Sequence, residues 1–94
     1  MKVIYLKSFL KTFKDLSEEN QIKTTNLISD LLNLFEKKVP PYKGIGLRKL
    51  SRTLWESRIS IKLRLLFEIK NEILIFALVG NHDDIKRFLK TKTI

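Results

Sequence analysis

The chain has 94 residues, 44% of them hydrophobic, which suits one globular domain over residues 1–94 with a modest core and argues against disorder. It has no cysteine and one histidine, so a disulfide framework, a zinc–thiolate site and a cysteine nucleophile are excluded, and no metal or small-molecule cofactor is expected. The longest apolar run, residues 73–79, falls far short of the roughly 20 residues that cross a bilayer.

The formal charge is +9, and most of it is local. Residues 37–64 hold nine cations against a single acid, Glu56, whereas the other 66 residues carry ten cations and nine acids. A field this concentrated favours a polyanion, with nucleic acid the first candidate and a folded acidic protein the second. Lys7, Lys11, Lys14 and Asp15 interrupt any leader-like stretch, so a cytoplasmic location is expected.

Residues 2–6 (KVIYL) are β-branched and aromatic and predict a strand. Ser8 is placed to cap a short helix whose apolar face is Phe9, Leu10, Phe13 and Leu16. Ser17 is placed to cap a longer one, with Glu18 and Glu19 in its first turn, where the helix dipole favours acids. Its inner stripe is Thr24, Leu27, Ile28, Leu31, Leu32 and Phe35, and Pro40 and Pro41 stop it. Residues 40–50 read as a loop whose Gly44 and Gly46 serve a turn; the glycine–lysine–hydroxyl pattern of a nucleotide phosphate loop is missing.

From residue 53 the period becomes two. Residues 53–60 place Trp55, Ser57 and Ile59 on one face and Leu54, Glu56, Arg58 and Ser60 on the other. Residues 63–70 place Leu63, Leu65, Phe67 and Ile69 on a core face, opposite Arg64, Leu66 and Glu68. Asn71 marks a tight turn, residues 72–79 are apolar on both faces as in a central strand, and Asp83 and Asp84 open a short helix with Ile85, Phe88 and Leu89 inside. The order is β-α-α-β-β-β-α. It predicts an α+β fold: an N-terminal strand and an antiparallel helix pair packed on a mainly antiparallel four-stranded sheet, with a short C-terminal helix. The helices would lie on one face of the sheet, leaving Glu56, Arg58, Arg64 and Glu68 on an exposed face.

Three segments, residues 55–59 (WESRI), 64–67 (RLLF) and 79–83 (VGNHD), together with the basic stretch LRKL at 47–50, resemble the C-terminal half of RelE/ParE-type toxins. The N-terminal strand and helix pair match the layout of that superfamily, so the resemblance covers nearly the whole chain. It implies the toxin of a type II toxin–antitoxin system, held inactive by a cognate antitoxin on its basic surface. The RelE branch cuts messenger RNA on the ribosome. The ParE branch poisons DNA gyrase and lacks nuclease residues.

Metal-free RNA cleavage needs a base for the 2′-hydroxyl, a cation for the phosphate and an acid for the leaving 5′-oxygen. The resemblance assigns the acid to His82, the sole histidine, and imidazole is the side chain that exchanges protons nearest neutral pH. It assigns the phosphate to Arg64, whose guanidinium can grip two oxygens at once. Arg58 joins Arg64 on one face if the hairpin loop has three residues and leaves it if the loop has two. For the base the resemblance offers Lys49 as a surrogate. Glu56 is the one nearby carboxylate, either a base or a group that orients an arginine. Lys43, Arg48, Arg52 and Lys62 are expected to contact phosphates without sequence preference. Trp55 shares a face with Ile59 and is expected in the core. Three activities follow: a ribosome-dependent endoribonuclease, a gyrase-directed toxin of the same fold, or a non-catalytic basic module that binds RNA or antitoxin. His82 together with Arg64 favours the first.

Overall fold

A computed structural model describes residues 1–37 and 46–91. The elements in chain order are β1 (Lys2–Tyr5), α1 (Lys7–Lys14), α2 (Glu18–Lys37), β2 (Arg48–Lys49), β3 (Leu54–Arg58), β4 (Arg64–Lys70), β5 (Ile73–Gly80) and α3 (His82–Thr91). The α+β layout stands, with one strand more than expected. β2 lies in the stretch read as loop, and two residues are too few for any periodicity to announce a strand. The Pro40–Pro41 helix stop lies outside the described residues.

The five strands form one sheet in the order β1-β5-β4-β3-β2. Three of its pairings are antiparallel, whereas β1 joins β5 in parallel, so the sheet is mixed. The helical connection between β1 and the rest of the sheet permits that direction. β4 and β5 meet in a two-residue turn, where Asn71 and Glu72 hold φ of 51° and 62°, the left-handed geometry that matches strand twist.

β1 ends at Tyr5, yet β5 runs on to Gly80, and α1 completes the uncovered edge. The Leu6 amide donates to the Phe76 carbonyl at 3.0 Å. The Ser8 hydroxyl then donates to the Ala77 carbonyl at 2.6 Å, and the Val79 amide donates to the Thr12 hydroxyl at 3.2 Å. Ser8 therefore serves the sheet edge and makes no side-chain cap, and Leu6 is the N-cap residue of α1. Ala77 is the extra residue of a β-bulge, since Leu66 faces Leu78 while Phe67 faces Phe76. Ser17 does cap α2 as its position suggested, accepting from the Asn20 amide at 3.2 Å.

One core lies between α1, α2 and one sheet face. Phe9, Leu27, Ile28 and Leu31 pack there on Leu65, Phe67, Leu74, Phe76 and Val79. Trp55 belongs to this side, edge-on to Phe35 with ring centroids 6.3 Å apart. Leu10, by contrast, points outward from α1. A second, smaller cluster occupies the other sheet face, where Ile85, Phe88 and Leu89 of α3 cover Leu66, Ala77 and Leu78. The helices are thus not all on one side, because β5 is apolar on both faces and needs cover on both. Among the described residues, charged groups of the second face lie on β2, β3 and β4, beside the area that α3 covers. No helix among the described residues is long and apolar enough to cross a membrane.

Candidate functional site

The charged groups lie on the sheet face that α3 partly covers. Strand pairing sets them in two rows. In the first, Arg48 faces Glu56, Glu56 faces Leu66 and Leu66 faces Leu78. In the second, Arg58 faces Arg64 and Arg64 faces Gly80. The hairpin settles the register that loop length left open. The Ile59 amide bonds to the Leu63 carbonyl at 2.8 Å, leaving residues 60–62 as a three-residue tip. Arg58 and Arg64 therefore stand side by side.

Glu56 is 3% exposed, although it carries a carboxylate. Its Oε1 accepts from Arg64 Nη1 at 3.0 Å and lies 3.8 Å from Arg48 Nη1. A buried charge persists only when paired, and this pairing fixes the guanidinium of Arg64 in place. Two arginines on one carboxylate, with Arg58 beside Arg64, leave a surplus of positive charge on the face. Arg58 is exposed and has no side-chain hydrogen bond or ion pair among the described residues. The other acid of the face, Glu68, is held by the Thr53 hydroxyl at 2.7 Å.

Two glycines bracket the arginine row. Gly46 holds φ of +60°, and a Cβ there would sit 2.8 Å from the Arg58 Cβ. The backbone before β2 can lie against the root of Arg58 only because residue 46 has no side chain. At the other end, a Cβ on Gly80 would meet the Asp84 Cβ at 2.8 Å and its Oδ2 at 2.9 Å. Asp84 occupies that space as half of a reciprocal cap. The Asp84 amide donates to Asn81 Oδ1 at 2.7 Å, and the Asn81 amide donates to Asp84 Oδ2 at 3.0 Å. This cap fixes the start of α3, where His82 is the first residue and is exposed. Its backbone lies within about 12 Å of the Arg64 Cα, given one strand spacing and two residue steps.

The candidate residues thus divide. Arg64 and Arg58 lie side by side at the end of the sheet where α3 starts at His82, and Glu56, the next residue in from Arg58 on the same face, pairs with Arg64 and Arg48. Lys49 does not join them. It alternates to the helix-side face, where its Nζ lies 5.5 Å from the Trp55 ring centroid. Arg52 precedes β3 at the opposite end of that strand, whose four steps span roughly 13 Å. Lys62 is exposed at the hairpin tip, and Lys43 lies outside the described residues. Among the described residues no three of His, Asp and Glu are grouped as metal ligands, and Asp84 is committed to its cap. The reading of the residues missed the roles of Gly46, Gly80 and the cap. The Asn81-x-x-Asp84 spacing was the available signal for the last of these.

No protein-family model matches the chain, and no curated protein matches it by sequence. Solved structures do match. The RelB–RelE antitoxin–toxin complex of Methanococcus jannaschii aligns with a TM-score of 0.70 and 15% identity, over 90% of this chain and 96% of that one. A metal-bound toxin from Helicobacter pylori aligns at 0.68 with 17% identity, over 90% and 98%. The E. coli DinJ–YafQ complex aligns at 0.67 with 17% identity, over 89% and 96%. These alignments cover nearly the full length of both chains, so this chain has the fold of the toxins in those structures.

Proposed function

We propose that this chain is the toxin of a type II toxin–antitoxin system, a cytoplasmic, metal-independent endoribonuclease that cuts translated messenger RNA on the ribosome. The observation that carries the reading is the pair Arg58–Arg64, adjacent on a positive face, with exposed His82 at the same end of the sheet. In this reading the 2′-oxygen of the RNA attacks its own phosphorus, its hydroxyl proton passing to solvent water as the new O–P bond forms. Arg64, held by Glu56, and Arg58, free to reach outward, neutralise the charge that grows on the phosphate oxygens. His82 gives its proton to the 5′-oxygen as the bond to phosphorus breaks. The products are a 2′,3′-cyclic phosphate and a 5′-hydroxyl end. Glu56 is buried against two guanidiniums, which suits orienting an arginine better than taking a proton from an exposed hydroxyl. Lys49 has no part in this mechanism, because it lies on the other sheet face. The toxins in the matched RelB–RelE and DinJ–YafQ structures are bound in complexes, the first of them named as an antitoxin–toxin pair. An acidic antitoxin segment laid over the arginine row would block this site.

The test is growth on induction of the wild type and of His82→Gln, with primer extension on a translated message. Growth arrest with new cleavage sites, both lost in the variant, is the expected result. Arrest without cleavage would refute the ribonuclease and favour a gyrase-directed toxin, which an assay of DNA supercoiling would then identify.

A further inference from the structure

Beyond the arginine row, the open end of the sheet carries a broad, shallow groove. Asn20 and Lys23 of α2 form one wall, Ile59, Ile61 and Lys62 of the β3–β4 hairpin form another, and Asn81 closes it beside His82. Ile61 is 89% exposed, the most exposed large apolar side chain among the described residues, and it stands next to Lys62 at the tip. Lys23 pairs with Glu19 at 3.3 Å, but both side chains are solvated, so the pair gives way readily to another anion. The groove is also lined by Asp84, whose carboxylate is committed to the cap of α3, so an apolar surface, two carboxamides and two cations remain to hold a nucleobase by its face and edge and its phosphate by charge.

We propose that this groove is the subsite for the unpaired nucleotide on the 3′ side of the cut. The inference rests on the ribonuclease reading and extends it. His82 protonates the 5′-oxygen that leaves, and that oxygen belongs to the nucleotide after the cut. Asn81 precedes His82 in the chain and lines the groove, so the strand that leaves past His82 enters it. The base packs on Ile61, the Asn20 carboxamide and the Nδ2 of Asn81, whose Oδ1 stays in the α3 cap, meet its edge, and Lys23 and Lys62 hold the next phosphate. This subsite, rather than the arginine row, selects the base after the cut.

The test uses the full chain, labelled with 15N, and a short single-stranded 2′-O-methyl oligoribonucleotide, which cannot be cut because its 2′-oxygen is blocked. Backbone amides of Asn20, Lys23, Ile61 and Asn81 should shift on titration. Ile61→Asp and Lys23→Ala, both at exposed positions, should each weaken binding by about tenfold. On a translated message, Ile61→Asp should change which base follows the cut and lower the yield of cleavage. Shifts confined to Arg48, Arg58 and Arg64, with Ile61→Asp binding and cutting like the wild type, would overturn the proposal. Shifts of the groove amides with protein concentration alone would assign the groove to a second copy of the chain and overturn it too. Groove shifts on titration with an uncut message would instead remove the ribonuclease reading and leave the groove as a single-strand RNA site.

Discussion

Replacing Arg64 with Ala strips the buried Glu56 carboxylate of its close partner at 3.0 Å and leaves only Arg48 at 3.8 Å. The two arginines are unequal, since the side chain of Arg64 is 23% exposed and that of Arg48 is 68% exposed. Removing one member of a buried ion pair costs about 3–5 kcal/mol, and the residual Arg48 contact puts Arg64→Ala near the lower end, at about 3 kcal/mol. Arg48→Ala removes a solvated contact and should cost about 1 kcal/mol or less. Replacing both Arg64 and Glu56 with apolar residues of similar volume leaves no orphan charge, so the double variant should be within about 1 kcal/mol of the wild type or above it. For a domain of this size about 1 kcal/mol moves the Tm by roughly 4–8 °C, so Arg64→Ala should melt roughly 12–24 °C lower. Thermal and denaturant unfolding followed by circular dichroism measures all three. Arg48→Ala costing as much as Arg64→Ala would refute the assignment of the buried pair. A double variant as unstable as Arg64→Ala would show that packing, not an unpaired carboxylate, sets the cost.

Arg58→Ala alters an exposed side chain and should change stability by no more than about 0.5 kcal/mol, yet it should lower the slope of log affinity against log salt for single-stranded RNA by about 0.7. An unchanged slope would remove Arg58 from the phosphate contacts. Lys49→Ala loses a cation–π contact worth about 0.5–1 kcal/mol and should leave cleavage intact, so a large loss of activity in a folded variant would return Lys49 to the site. Gly80→Ala forces a Cβ into the space of Asp84 and should cost about 1–3 kcal/mol while displacing His82. A Tm and a cleavage rate equal to the wild type would show that the close approach is not needed.

Local pattern made much of this molecule legible. The apolar spacing of α2 shows in the sequence because a helix returns to the same face every three to four residues, and Thr24, Leu27, Ile28 and Leu31 are buried as that spacing requires. Alternation likewise separates Trp55 from Glu56 and Leu65 from Arg64 without any knowledge of the partner strands. The resemblance to RelE/ParE-type toxins marked His82, Arg64 and Lys49 as chemical candidates, and alternation and charge added Arg58 and Glu56. What sequence could not decide was which side chains meet. Whether Arg58 joins Arg64 depends on a single residue of hairpin loop, because a slip of one turns every side chain to the other face. Whether Arg48 or Lys49 reaches Glu56 depends on the two residues of β2, which has no pattern of its own and exists only because β3 offers it an edge. The parallel place of β1 beside β5, the hydroxyls of α1 that finish that edge, and α3 on the far face all join segments distant in sequence. Sequence by itself determined the elements other than β2, most of their faces and the charged inventory, since these follow from spacings of two to four residues. Tertiary structure alone decided the register and the neighbours, and with them which cations stand together at the end of the sheet.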